Sequence, residues 1–349
     1  MTFTIDIELT NRCNASCHFC PRDQTPHQGL MSVETFAMSL ERAVEYREVA
    51  ADVLGGTGAV SLCGLGEPLL NKHAATFVGQ VRDAGFPVHI SSNGALLDER
   101  RAHDLLDAGL QKIFLNVGDR DADYEEVYQL PFERTLENVL RFNELAEGRC
   151  EVYLVLVDYR RDAAHQASMR EYWQGHGITR FQEFPIMNRG GALFVDHMQF
   201  EALPQLAEAQ AMLDTRPGLP LCGAPFGFLF IGFDGNYYLC CSDWKKDVPL
   251  GHVADHSFLS VTRAKLERIV TRDPICRTCN LDPLNHLTDE LRARDAGEAA
   301  VGDLDAFADQ VMTVSRAIET KLEELSPGVT HGLAAMSATP RKLIPLTVR

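Results

Sequence analysis

The sequence predicts an α/β protein, a partial (β/α)6 TIM-like barrel followed by a small cysteine-rich domain and a helical tail. Three observations carry that expectation. Strand-like and helix-like segments alternate with short joints through roughly the first 190 residues. Eight of the ten cysteines fall into two groups, one near the N-terminus and one past residue 220. Hydrophobic residues make up 45% of the 349-residue chain and charged residues 23%, a balance that supports a sizeable core.

Phe3–Leu9 alternates in period two and reads as the first strand. Ser32 is placed to cap a helix running to about Val49. Ala59–Cys63 is a short apolar strand, Lys72–Ala84 a helix ended by Gly85, and Pro87–Ser91 a third strand. A helix from Asp98 stops at Gly109, where glycine suits a left-handed terminal turn. Ile113–Val117, Val152–Asp158 and Thr179–Ile186 supply three more strands, with helices near Phe132–Glu147 and Ala163–His176. Six βα units are fewer than a closed barrel needs, so the barrel is expected to be partial, with its chemistry at the strand C-terminal ends.

A second region begins near Gly190, with a helix over Leu203–Leu213 and a hairpin-like, glycine- and aromatic-rich stretch, Phe226–Tyr238. Beyond Leu281 the chain reads as helical to about Leu325 and then irregular, with Met336–Arg349 as a loose tail or strap. The expected domains are 1–190, 191–282 and 283–349.

The net charge of −16 argues against nucleic acid or an anionic membrane as partner. There is no export signal and no run of about 18 apolar residues, so a cytoplasmic location is expected. Clustered cysteines in a reducing compartment point to metal or redox chemistry rather than disulfides.

Cys13-x3-Cys17-x2-Cys20 follows directly on the first strand. Three thiolates so spaced can converge on three irons of a cubane and leave the fourth iron for a substrate chelate. Phe19 could shield such a cluster and pack near an adenine. A zinc site completed by His18 or His27 is the alternative.

The run ELTNRCNASCHFCPRD, residues 8–23, resembles the signature of the radical S-adenosylmethionine (SAM) superfamily. Two further motifs are similar to the family's in the same order. Cys63-Gly64-Leu65-Gly66-Glu67-Pro68-Leu69 follows the second strand and resembles its glycine–glutamate turn. Ser91-Ser92-Asn93-Gly94 follows the third and resembles its Ser/Thr-Asn-Gly turn. The resemblance implies that Gly64, Gly66, Glu67, Ser92, Asn93 and Asn116 surround bound SAM. It implies too that Cys13, Cys17 and Cys20 hold a [4Fe–4S] cluster that cleaves the cofactor to a 5′-deoxyadenosyl radical, fed by a flavodoxin- or ferredoxin-type donor. The family's fifth-strand glycine motif is not evident in Glu151–Arg160.

Cys222, the Cys240-Cys241 pair and Cys276-x2-Cys279 read as a four-thiolate zinc site or a fully ligated iron–sulfur cluster. FLFIGFDGNYYLCCSDW (228–244), the later knuckle and Asn188-Arg189-Gly190-Gly191 resemble the auxiliary-cluster region of SPASM/twitch radical enzymes. That implies one auxiliary [4Fe–4S] cluster, the second of two, held by Cys222, Cys240, Cys276 and Cys279. Cys241 is then a core thiol, a replacement ligand or a hydrogen-atom donor. Cys63 and Cys150 read as small buried residues. Asp158, Arg189, Asp234, Asp243 and Trp244 are candidates to line a cavity between the domains.

Because the first strand starts at residue 3, no peptide-recognition domain is expected ahead of the barrel. A small molecule is therefore the expected substrate: an aminocyclitol, sugar or nucleoside undergoing oxidation, epimerisation or decarboxylation. The alternatives are a peptide-modifying radical enzyme and a non-catalytic zinc-binding interaction protein.

Overall fold

The structure is a computed structural model that describes residues 3–56, 58–193, 198–298 and 302–337. Its framework is a nine-stranded sheet in the order β6-β5-β4-β3-β2-β1-β7-β8-β9. The strands are β1 (Thr4–Ile7), β2 (Ala59–Leu62), β3 (Val88–Ser92), β4 (Lys112–Asn116), β5 (Glu151–Asp158), β6 (Phe181–Pro185), β7 (Phe228–Ile231), β8 (Asn236–Tyr237) and β9 (Gly251–His252). Pairing is parallel from β6 across to β7 and antiparallel for β8 and β9.

The barrel helices are α1 (Val33–Leu54), α2 (Ala74–Asp83), α3 (Glu99–Ala108), α4 (Asp121–Tyr128), α5 (Phe132–Leu145) and α6 (Ala163–Gly175). Then come α7 (Gln205–Asp214), α8 (Ala224–Gly227), α9 (Phe258–Val270), α10 (Pro274–Thr278), α11 (Pro283–Asp295), α12 (Leu304–Leu325) and α13 (Leu333–Ser337). No helix among the described residues is long and apolar enough to cross a membrane.

The sheet buries both faces. Ile5, Ile7 and Leu9 of the first strand and its continuation pack with Phe36, Ala43, Phe77 and Val78 of the covering helices. The alternate residues Asp6, Glu8 and Thr10 are buried as well, although polar. A period-two pattern sends one set of side chains under the helices and the other into the barrel lumen.

Several elements differ from the sequence reading. Helix α1 continues five residues past Val49, because its stop is Gly55 in the left-handed conformation. The hairpin-like stretch does form β7 and β8, but β7 also joins β1 in parallel and extends the barrel sheet. The helical region after Leu281 is two helices, and the segment read as irregular contains α13. The tail from 338 onward lies outside the described residues. Helices α4 and α9 are absent from the sequence reading. The signal for α9 is plain: a Ser257–Ser260 capping box and buried Phe258, Val261, Leu266 and Ile269 at helical spacing.

Phe77 is fully buried and its ring stacks on Phe36 with centroids 4.0 Å apart. Phe77→Ala is expected to cost about 3–5 kcal/mol, seen as a lower urea midpoint, because the sheet–helix seam cannot collapse into the void.

Candidate active site

The loop carrying Cys13, Cys17 and Cys20 leaves the end of β1 and is held by backbone groups. Ser16 N–H donates to Tyr128 O (3.2 Å) and His18 N–H to Val127 O (3.1 Å), so the last carbonyls of α4 grip it. Carbonyls at a helix C-terminus lack intrahelical partners, and here the loop supplies them. Asn11 Nδ2 donates to His27 O (2.6 Å) while its Oδ1 accepts from Gly29 N–H (2.9 Å), folding the chain back over the loop. Helix α4 is thus a functional element the sequence reading missed. Tyr124, Val127 and Tyr128, spaced i, i+3, i+4 and buried, are the signal that could have found it.

The glycine–glutamate turn after β2 meets this loop. Glu67 N–H donates to Arg12 O (2.8 Å), and a Cβ on Gly66 would collide with the carbonyls of Thr10 and Arg12. Only glycine allows that approach. A Cβ on Gly64 would strike the Glu8 side chain.

The Glu67 carboxylate is buried and accepts from Asn93 N–H (2.8 Å), Ser92 Oγ (2.9 Å) and Leu69 N–H (3.1 Å). Asn93 Nδ2 reaches Asn14 Oδ1 (2.9 Å) and lies 3.7 Å from Cys13 Sγ. Asn116 Nδ2 donates to Ser91 Oγ (3.1 Å) and Ser92 O (3.3 Å). The Phe19 ring packs against Tyr159 (5.3 Å) and edge-on to Tyr128 (5.5 Å). The structure therefore gathers the ends of the first four strands, with every motif residue, around the cysteine loop.

Electrostatics separates the groups here. Burial pushes Glu67 up to about 7 against the three donors that favour its ionised form. Burial also raises the Cys13 and Cys17 thiols, with the neighbouring thiols adding to the rise. Thiolate sulfur is the donor an iron–sulfur cluster requires, and three cysteines on one loop supply it.

The second group assembles from three distant segments. Burial pushes Cys222 up to about 12, with Cys279 and Asp282 adding. Burial raises Cys240 well above its ordinary range, with Cys241, Cys279 and Cys222 as charge neighbours. The knuckle is held by Asn285, fully buried, whose Nδ2 donates to the carbonyls of Cys279 (2.8 Å), Cys276 (2.9 Å) and Arg277 (3.0 Å). Asn188 and Asn280 exchange backbone-to-side-chain hydrogen bonds of 3.1 and 3.2 Å, and Thr278 Oγ1 donates to Gly190 O (2.8 Å). These bonds clasp the barrel's last strand end to the knuckle. Among the described residues, no group of three or more His, Cys, Asp and Glu side chains is gathered as for a single metal ion.

Between the two groups lies the lumen face of β1. Asp6 sits opposite Ser61 on β2 and Phe230 on β7, is 5% exposed and hydrogen-bonds Cys63. Cys63 is thus not sealed in the core but half-buried beside a carboxylate, and Cys150 is half-buried too. Cys241 lies near enough to Arg189, Asp6 and Cys279 for their charges to act on it. Glu8 is wholly buried and forms an ion pair with Lys246, whose ammonium also faces the rings of Phe230 (5.3 Å), Phe233 (5.5 Å) and Tyr238 (5.6 Å). The remaining candidates are more ordinary. Asp158 accepts from Asp162 N–H, Asp234 braces the β7–β8 turn, and Asp243 lies 3.5 Å from Arg268 beside buried Trp244.

A partial barrel with three thiols after its first strand, a glycine–glutamate turn after its second and a further thiol group beyond its last defines a class of cluster-bearing barrel enzymes. Residues 7–163 match the model of the radical SAM superfamily, and residues 222–280 match that of the SPASM iron–sulfur cluster-binding domain. The chain belongs to the radical SAM superfamily of enzymes and carries a SPASM domain.

It is 29% identical over 186 residues to a probable GTP 3′,8-cyclase of Halobacterium salinarum, covering 52% of this chain and 50% of that protein. It is 26% identical over 166 residues to a tungsten-containing aldehyde ferredoxin oxidoreductase cofactor-modifying protein of Pyrococcus furiosus, covering 47% and 41%. The chain thus spans half or less of the length of these two relatives. It is 28% identical over 290 residues to an S-adenosyl-L-methionine-dependent 2-deoxy-scyllo-inosamine dehydrogenase of Niallia circulans, covering 79% of this chain and 92% of that protein. Streptococcus suis SuiB bound to S-adenosylmethionine shares the fold with a TM-score of 0.57 at 13% identity, covering 86% of this chain and 77% of SuiB.

Two outcomes follow from the buried charges. Lys246→Ala is expected to destabilise the protein by about 3–5 kcal/mol by stranding Glu8, whereas the double change Glu8→Gln, Lys246→Met recovers most of that loss; urea unfolding of both variants checks it. Burial pushes Asp6 up to about 7 from 3.8, against its hydrogen bond to Cys63. An acid raised in the folded state contributes stability below its unfolded value and loses it as pH rises towards the folded value. Asp6→Asn should therefore flatten the decline in apoprotein stability between about pH 4 and pH 7, measured as urea midpoints across that window.

Proposed function

We propose that this enzyme oxidises a small hydroxylated molecule of the aminocyclitol, sugar or nucleoside kind, using SAM, one radical-generating cluster and one auxiliary cluster. The observation that carries this reading is the similarity to the 2-deoxy-scyllo-inosamine dehydrogenase, which extends over 92% of that protein's length and both domains of this chain. The cysteine inventory supports it, since four thiols and one spare suit a single auxiliary cluster.

Cys13, Cys17 and Cys20 hold the first cluster, and Cys222, Cys240, Cys276 and Cys279 the second. Phe19, Gly64, Gly66, Glu67, Ser92, Asn93 and Asn116 enclose SAM, which with the reduced first cluster supplies a 5′-deoxyadenosyl radical. A flavodoxin- or ferredoxin-type protein donates the initiating electron. Converting CH–OH to C=O removes a hydrogen atom, an electron and a proton from the substrate. The proton is the chain's own task. Asp6, on the lumen face with a carboxyl held near 7, is suited to accept it near neutral pH. Cys241, on which the charge of Asp6 acts, would return a hydrogen atom in a redox-neutral outcome. A peptide substrate is the second reading, favoured by 30% identity over 117 residues to a PqqA peptide cyclase of Streptomyces rochei, covering 33% of this chain and 29% of that protein.

The test is anaerobic turnover with reductant, SAM and a deuterated panel that includes 2-deoxy-scyllo-inosamine. Equal amounts of ketone and 5′-deoxyadenosine, with deuterium in the latter, are expected; Cys17→Ala should reduce both to background. Deuterium transfer only from a co-expressed precursor peptide would overturn the small-molecule reading. Product formed without change of oxidation state would overturn the oxidative one.

A further inference from the structure

Helix α9 carries a lysine where its buried stripe demands an apolar residue. Lys265 is 1% exposed and stands with Val261, Leu266 and Ile269 on the face that packs inward. Its ammonium donates to Pro225 O (3.2 Å) in α8, the short helix that begins two residues after Cys222. Its neighbours Leu266 and Ile269 share a buried cluster with Leu221 and Leu239, the residues just before Cys222 and Cys240, and Cys222 and Cys276 pack against that cluster. The ionisable group that acts on the ammonium is Cys240.

Two other cations near the second thiol group have opposite partners, whereas half-buried Arg277 of the knuckle donates to Arg272 O (2.9 Å). Arg272 pairs with Asp282 (3.1 Å), and Arg268 pairs with Asp273 (2.7 Å) and Asp243 (3.5 Å). Among the described residues, no carboxylate lies within ion-pair distance of Lys265. A buried ammonium with one neutral acceptor is costly, and a counter-charge is expected beside it. Among the described residues, the thiol set that includes Cys240 supplies that charge once its protons have been exchanged for iron.

We propose that Lys265 is a positioning residue for the auxiliary cluster, a fixed buried cation beside Cys240 that raises the cluster's reduction potential and so fits it to accept an electron. The inference rests on the reading of the second thiol group as an electron-accepting iron–sulfur cluster. Cluster potentials follow net charge, hydrogen bonding and exposure, and a nearby positive charge favours the more negative, reduced state. In a low-dielectric setting that effect is stronger than at a surface.

The experiment uses the full chain carrying Cys13→Ala, Cys17→Ala and Cys20→Ala, so that the auxiliary cluster alone is observed after anaerobic reconstitution. About four irons per chain are expected in that background. The reduced fraction is then titrated by electron paramagnetic resonance at set potentials. Lys265→Met, which keeps length and removes charge, should lower the reduced-to-oxidised ratio at a given potential at least tenfold, about 59 mV for one electron. Lys265→Arg should stay near the parent value. The melting midpoint of the apoprotein should rise in Lys265→Met, because the stranded ammonium is gone, and Lys265→Gln repeats both readings should the methionine variant lose iron. Four irons with an unchanged potential in Lys265→Met would overturn the role of Lys265 alone. No iron in the parent background would overturn the cluster reading, and the role of Lys265 with it.

Discussion

A carboxylate sealed from water needs both donors and a counter-charge, and Glu8 obtains them from three separate parts of the chain. Its Oε1 accepts from Leu65 N–H in the glycine–glutamate turn (3.0 Å). Its Oε2 accepts from Phe233 N–H (3.3 Å) and pairs with Lys246, a few residues past the Cys240-Cys241 pair. One side chain at the end of β1 therefore sets the turn that faces the first cysteine loop and the approach of the segment that carries the second thiol group.

Around that point, both sites are shaped largely by backbone groups. Helix α4 offers its terminal carbonyls to the first loop, and Asn285 gathers three carbonyls of the knuckle. Gly66 lets the turn lie against the first loop without a side chain between them. The lumen face of β1 carries Asp6, hydrogen-bonded to Cys63, and the charges of Asp6 and Arg189 act on Cys241.

Much of this was legible in the sequence because the responsible patterns are local. The strands β1 to β6 follow from period-two or apolar runs bounded by Gly, Pro and Asp, and Asp98 and Gly109 mark both ends of α3 as capping chemistry requires. The cysteine spacings and the two turn motifs are likewise short-range features. Helix α4 escaped because its acidic face has no capping side chain at Arg120, and only three aromatic or branched residues mark its buried side. Helix α9 is harder to read because its buried face includes Thr262 and Lys265, which interrupt the apolar stripe.

The sequence by itself determined the barrel class, the cysteine motifs and the family, since each is read from short runs of neighbouring residues. The tertiary structure alone decided which distant groups meet. That β7 pairs with β1, that Lys246 neutralises Glu8, that Asp6 hydrogen-bonds Cys63 and that Lys265 is buried against Pro225 are contacts between residues far apart in the chain. Charge and burial act through space rather than along the chain. A lysine or aspartate in the sequence therefore carries no sign of whether it will be solvated or held in a core until the fold has placed its neighbours.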